Sequence, residues 1–548
     1  MRVILIHVRD PQFYAYPIEE RSKRGNIQII GFPPIGIMSL SSVLKREGHE
    51  CMMFDQANPE TPNDVIVDEI QRLQPDLVGL SFLSSTSYPY AKILARQIRA
   101  ANAKVKIAFG GVFATLNAIR VKEQCTEIDY VCRGDGEQVI LDLLDNLENP
   151  SDVKSVTWAD GDGTIQNNLE RPLERDLDQW PFPDRDSLPL DFVETMPFDV
   201  PAVLSMDRYT TMQTSRGCPW ECIFCDIPIF NGGGKWRARS PEHVVAEMEY
   251  LQENGYGGVY FVDDHFLLQP KRIETLCQAL IDGGNPIKWG CEGRVDSVCM
   301  KLFPLMAKSQ CRSLMFGLES GSQKTLDRLK KDQTVEQIEI AVNNAKKGGI
   351  EIVHGFFVLG SPGETEEEMR QTFRFASKLR IDSFGFNRLC VYRGTPLWTE
   401  YVHRGLVDEE KDWFKYFKCS SIDPTVLSGE QIHKIRGQEL QRLIAYKLLR
   451  YPLQSLRLLR RFARYMPIKD VFYLVAKPFM GKKKGATRAE LLSQAVEYQE
   501  VKSAAADLTE VPDEQLEAVI AGSQVAVDAA SASHRDHRQH EIHPPDLN

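Results

Sequence analysis

The chain has 548 residues, 43% hydrophobic and 26% charged, with a formal net charge of −10; that length calls for two or three domains of globular composition, and the acidic balance argues against nucleic-acid binding through a basic surface. No apolar run reaches the length of a spanning helix, and twelve cysteines scattered over so long a chain do not suggest a disulfide framework. Met1-Arg-Val-Ile-Leu-Ile-His runs straight into an expected buried strand rather than a secretion leader, which points to the cytoplasm.

Residues 1–150 alternate short apolar strands with helical stretches: strands at Val3–Val8, Leu77–Phe82, Lys106–Phe109 and Asp129–Cys132, helices at Ile37–Glu47 and Ala91–Ala100. Continuous apolar strands separated by helices imply a doubly wound parallel sheet, whose ligands sit at the carboxyl ends of the strands. Residues 151–205, rich in Asp, Pro and Gly, read as a linker. Alternation returns in 206–395, with six expected strands at Thr211–Ser215, Gly258–Val262, Ile287–Cys291, Ser313–Leu318, Ile352–Leu359 and Ser383–Cys390. Six strand–helix repeats suggest a partial parallel (β/α)6 barrel. Residues 396–490 are helical and basic, and 491–548, ending in His534, His537, His540 and His543, are expected to be a solvated, disordered tail.

One cysteine group is tight. Cys218, Cys222 and Cys225 form Cys-x3-Cys-x2-Cys directly after an expected strand. Thiolates suit iron–sulfur centres, and three ligands for a four-iron cubane leave one iron open for catalysis. A structural zinc loop completed by a distant residue such as Cys291 is the competing reading, but structural zinc favours paired short gaps.

The spacing resembles that of the radical S-adenosylmethionine superfamily. The resemblance implies a [4Fe–4S] cluster on the three cysteines. Its open iron would bind the amino and carboxylate groups of S-adenosylmethionine, which one electron cleaves to a 5′-deoxyadenosyl radical. It further implies cosubstrate contacts at Phe224, which precedes the last cysteine, and at Asp263 and Asp264 after the second barrel strand. Arg294 after the third strand, Glu319 and Ser320 after the fourth, and Gly360 after the fifth complete the expected set.

The first 150 residues resemble the cobalamin-binding domain that precedes the barrel in a subclass of that superfamily, through Pro33-Pro-Ile-Gly, Val78-Gly-Leu-Ser81, Gly110-Gly111 and Arg133-Gly-Asp-Gly-Glu137. Cobalamin contacts are expected at Ser81, Ser84, Ser85, Gly110, Gly111, Gly134, Gly136 and Glu137. The Asp-x-His-x-x-Gly element that supplies a lower histidine ligand elsewhere is missing, so His7 and His49 read as ordinary packing or surface residues. A flavodoxin-like domain without cobalamin is the plainer alternative.

Such a cofactor set implies methyl transfer to an unactivated carbon of a small molecule. Oxidative ring closure, as in the anaerobic magnesium-protoporphyrin ester cyclase, and a non-catalytic cobalamin carrier remain open. A ferredoxin or flavodoxin is the expected electron donor. The Arg- and Lys-rich segment 442–484, interleaved with Leu, Phe and Tyr, reads either as a helical cap with a solvated basic face or as a peripheral membrane contact with a lipid or tetrapyrrole as substrate.

Overall fold

The computed structural model describes residues 1–8, 33–58, 61–189, 206, 208–230, 233–415 and 417–465. Expectations for the tail, its histidines and the end of the basic segment fall outside these residues. Among the described residues, no helix is long and apolar enough to cross a membrane.

The amino-terminal sheet comprises β1 (Arg2–His7), β2 (Glu50–Asp55), β3 (Leu77–Ser81), β4 (Lys106–Gly110), β5 (Tyr130–Cys132), β6 (Val156–Ala159) and β7 (Ile165–Asn167). Their order is β2-β1-β3-β4-β5-β6-β7, with β1–β5 parallel and β6 and β7 antiparallel at the edge. Helices α1 (Ile35–Arg46), α2 (Asn63–Leu73), α3 (Tyr88–Ala101), α4 (Ala118–Gln124) and α5 (Gly136–Asp145) cover the two faces. Alternation within each apolar strand feeds both: Ile4, Ile6, Val78, Leu80 and Phe109 pack on one side, Val3, Leu5, Leu77 and Ala108 on the other. That is the doubly wound arrangement, with its switch point between β1 and β3.

The segment read as a linker is more structured than its composition suggests. Its Asp160-Gly-Asp-Gly run turns β6 into β7, where the Asp160 carboxylate accepts backbone N–H bonds from Asp162 and Thr164. Beyond the hairpin the chain straps the sheet domain to the barrel. Asp184 accepts from Lys45 at 2.6 Å, and buried Arg185 pairs with buried Glu247 at 3.0 Å.

The second domain has six parallel strands in sequence order: β8 (Tyr209–Met212), β9 (Gly258–Phe261), β10 (Lys288–Gly293), β11 (Cys311–Glu319), β12 (Ile352–Leu359) and β13 (Ser383–Arg388). The main covering helices are α6 (Pro241–Glu253), α7 (Pro270–Asp282), α8 (Val335–Lys347) and α9 (Glu366–Lys378). Outward residues Met212, Phe261, Trp289, Leu314, Phe316, Val353 and Phe357 make one large core with these helices. The inward set Tyr209, Tyr260, Met315 and Phe356 clusters separately. Toward the later strands Phe356 and Asn387 keep solvent access, whereas Tyr209, Tyr260 and Met315 are buried.

α10 (Gly429–Arg450) and α11 (Pro452–Tyr465) follow, the break falling at Tyr451-Pro452, where proline stops the preceding helix. Trp413 and Phe414, from the loop before α10, complete the sheet domain's core. The Trp413 ring stacks on Phe113 at 6.0 Å and meets Tyr88 edge-on at 5.6 Å.

Candidate active site

The cysteine loop leaves β8 through Gly217, whose φ is +90° and whose Cβ, if present, would stand 2.1 Å from the Lys235 carbonyl oxygen. Only glycine fits there. Two consecutive acids brace the loop from β9. Asp263, 4% exposed, accepts from the Thr214 N–H (2.6 Å), the Thr214 hydroxyl (2.5 Å) and the Ser215 hydroxyl (2.6 Å). Asp264 accepts from the Gly217 N–H at 2.7 Å, and burial pushes its carboxyl up to about 6.

Arg294 clamps the loop from β10. It forms a two-pronged pair with Asp296 at 3.0 and 2.8 Å, donates to the Lys331 carbonyl, lies 4.1 Å over the Trp220 ring, and donates to Cys222 Sγ at 3.2 Å. A fork of donors shared between a carboxylate and a sulfur is beyond a lysine's geometry. Phe224 packs against the barrel core beside the loop.

Three thiols on one braced loop fit an iron–sulfur cubane. Burial pushes Cys225 up to about 12 and Cys218 above the ordinary thiol range, so stable thiolates here need a cationic centre. A closed zinc site does not fit. Cys291 lies in the helix-side core of the barrel, with Cys311 among its electrostatic neighbours.

A cleft of about 330 Å³ opens at the carboxyl ends of β1, β3, β4 and β5. Leu5, Leu40, Gly79, Leu80 and Phe109 make its floor largely apolar, and Ser81, Gly110, Gly111, Gly134, Gly136 and Glu137 border it. A Cβ on Gly110 or Gly134 would project into open space. The shape and chemistry fit a broad, mostly apolar ring system bearing a polar tail. Gly111 is needed for another reason. With φ +95° it passes so near the Phe82 carbonyl oxygen that a Cβ would stand 2.3 Å away. Ser84 and Ser85 are not part of the wall, and Ser84 is engaged with Thr86 at 2.8 Å and Ser87 at 3.1 Å.

The same cleft is walled from the barrel by Gln213, Arg216, Ile227, Phe230 and Asp264. Arg216, one residue before Gly217, reaches Glu137 at 2.5 Å and Asp135 at 3.3 Å, while Arg237 reaches Asp135 at 2.6 Å. Burial opposes ionisation of Asp135, but the two guanidiniums hold it below the usual carboxylate range. Glu137 is thus committed to an ion-pair network joining the two domains at the root of the cysteine loop.

Further round the barrel the expected contacts turn toward protein. Glu319, φ +58° at a bulge in β11, pairs with buried Lys331 at 2.7 Å. Ser320 bonds Thr372 of α9 at 2.9 Å. Gly360, φ +78°, admits Ile432 of α10, which a Cβ would approach to 2.8 Å. Its N–H donates at 2.7 Å to Glu364, whose carboxyl is pushed up by burial to about 7. The folded chain therefore holds a proton that the unfolded chain releases near 4.5. Stability is expected to fall as pH rises between those values, by on the order of 3 kcal/mol. Glu364→Gln should flatten that decline, measured by urea midpoints at about pH 5 and about pH 8.

Residues outside the sequence-based set also meet here. Tyr260 donates to Glu292 at 2.5 Å inside the lumen, and burial pushes the Glu292 carboxyl up despite that bond. His265, 1% exposed, has no hydrogen-bond partner on either ring nitrogen, and burial lowers it to about 4. Tyr260 lies within one expected strand and Glu292 directly after the next, but only the register of β9 against β10 brings the two together.

Comparison with known proteins accords with this construction. The family description "Radical SAM superfamily" matches residues 212–376, and "B12 binding domain" matches residues 31–144. The uncharacterized methyltransferase PH0819 of Pyrococcus horikoshii is 32% identical over 412 residues, covering 74% of this chain and 86% of the relative. The anaerobic magnesium-protoporphyrin IX monomethyl ester cyclase of Rubrivivax gelatinosus is 26% identical over 467 residues, covering 82% and 79%. Among solved structures, the radical S-adenosylmethionine methyltransferase TsrM of Kitasatospora setae, with cobalamin and a [4Fe–4S] cluster bound, shares the fold with a TM-score of 0.61 at 18% identity. The alignment covers 74% of this chain and 78% of that one. This chain belongs to the cobalamin-dependent radical S-adenosylmethionine enzymes, whose cofactors are a [4Fe–4S] cluster, S-adenosylmethionine and cobalamin.

Proposed function

We propose that the enzyme places a methyl group on an unactivated carbon of a hydrophobic small molecule, with Cys218, Cys222 and Cys225 holding the cluster and the cleft along Ser81, Gly110, Gly111, Gly134 and Gly136 holding cobalamin. The observation that carries this reading is the shared wall: Asp264 and Arg216, at the root of the cysteine loop, border the same cleft as the strand ends of the sheet. When bound, the cofactors supply a hydrogen-abstracting radical and a transferable methyl group.

The chain's own part is positioning. Asp263, Asp264 and Arg294 fix the loop, and Phe356, backed by the buried Tyr209, Tyr260 and Met315, gives the lumen an apolar surface for the substrate. The Tyr260–Glu292 pair gives that substrate one polar anchor and a local site for a proton. The expected setting is the cytoplasm, with a ferredoxin or flavodoxin as electron donor.

A second reading, oxidative ring closure of a tetrapyrrole-like substrate, is favoured by the similarity to the ester cyclase over most of both chains. Intact-mass analysis separates the two. Anaerobically reconstituted enzyme, given reductant, S-adenosylmethionine and extracts from a strain lacking the gene, should convert one metabolite to a product heavier by a single methyl increment. A product without that increment rejects methyl transfer.

A further inference from the structure

We infer that the outer face of the α10–α11 junction docks on an anionic phospholipid surface. From residue 440 to 465 the chain has no Asp or Glu but carries Arg442, Lys447, Arg450, Arg457, Arg460, Arg461 and Arg464, within a protein of net charge −10. A basic segment on an acidic protein needs a reason, and the burial pattern supplies one.

The inner face of this segment is held by polar contacts. Lys447 donates to the Leu379 and Ile381 carbonyls, Tyr451 to the Lys378 carbonyl at 3.2 Å, Gln454 to Asp382 at 2.6 Å, and Arg461 to Glu351. Four apolar side chains face the other way: Leu449 is 85% exposed, Leu453 70%, Leu456 46% and Tyr446 40%. Arg442, Arg450, Arg457 and Arg460 are exposed around them. A helix that merely caps a globular domain turns its leucines inward. Here Leu440 and Leu443 do turn inward, but Leu449, Leu453 and Leu456 beyond them face solvent while polar contacts hold the inner side.

A leucine stripe ringed by arginines matches a lipid interface, where the apolar side chains enter the acyl boundary and the guanidiniums meet headgroup phosphates. A second copy of the chain fits less well, because two-fold pairing of this patch would set arginines against arginines. The contacts at Glu351 and Asp382 fall just before β12 and β13, at the amino ends of the barrel strands. The surface therefore leaves the cofactor end of both domains free.

The test uses the full-length holoenzyme and two vesicle types, phosphatidylcholine alone and equimolar phosphatidylcholine with phosphatidylglycerol. Co-sedimentation with the mixed vesicles should exceed that with phosphatidylcholine by about tenfold or more at low salt and weaken as salt rises. Leu449→Ser with Leu453→Ser, and separately Arg450→Gln with Arg457→Gln, should each abolish most of it. The circular dichroism spectrum and 5′-deoxyadenosine formation should be unchanged, since these side chains touch neither the core nor the site. Absence of pelleting, equal pelleting on both vesicle types, or retention of binding by both variants overturns the inference. So does a concentration-dependent dimer that the leucine variant dissolves, which would assign the face to a second copy.

Discussion

Serine at Cys218, Cys222 and Cys225 together should abolish 5′-deoxyadenosine formation from S-adenosylmethionine under anaerobic, reducing conditions, to below detection, while cobalamin still co-purifies with the protein. A serine oxygen is a poor ligand for a soft iron–sulfur centre. The substitution removes all three sulfurs without disturbing what supports the loop. The bracing bonds from Asp263 and Asp264 go to Thr214, Ser215 and Gly217. Of the contacts described, only the Arg294 bond to Cys222 is altered. The cleft proposed for cobalamin is walled by the sheet's strand ends together with Gln213, Arg216, Ile227, Phe230 and Asp264 rather than by the cysteines. Loss of the iron–sulfur absorption and low-temperature electron paramagnetic resonance signal, with the corrin absorption kept, is the expected pattern. Turnover by the triple variant would refute the cluster assignment.

Arg216→Met is expected to be the most damaging single change outside the cysteines. It strands Glu137, 4% exposed, without its guanidinium, and a buried pair broken on one side costs about 3–5 kcal/mol. Asp135 keeps Arg237 at 2.6 Å, so the loss falls mainly on Glu137. Pairing the change with Glu137→Gln should recover much of it, because no uncompensated buried charge then remains. Thermal midpoints of the single and double variants, read alongside cobalamin retention, check this. An additive or worse double variant would show that the arginine acts through packing alone.

The architecture was legible because two periodicities dominate the chain. Continuous apolar runs such as Val3–Ile6 and Leu77–Leu80 read as central parallel strands, and six repeats of strand and helix point to the barrel. β2, Glu50–Asp55, was not legible: its Glu-Cys-Met-Met-Phe-Asp run has acids at both ends and a core too short to stand out. The hairpin β6–β7 was hidden by the Gly- and Asp-rich turn that forms it. At the site, the cysteine spacing and the glycines at strand ends carry their chemistry locally and could be read directly. Asp263, Ser320 and Gly360 show the limit. Each lies at the end of a strand where a ligand contact was expected, yet long-range partners, from Thr214 to Thr372 to Ile432, occupy the space beside it.

The aromatic plug formed by Trp413 and Phe414 bears on biosynthesis. The sheet domain leaves the ribosome before the barrel, but its interior stays incomplete until a segment from beyond the barrel has been translated and has folded back against Phe113 and Tyr88. Domains that fold as units during synthesis ordinarily close in order of emergence. Here the final tightening of the sheet domain waits on Trp413 and Phe414, so its interior closes only once the whole barrel has been synthesised rather than when its own last strand emerges.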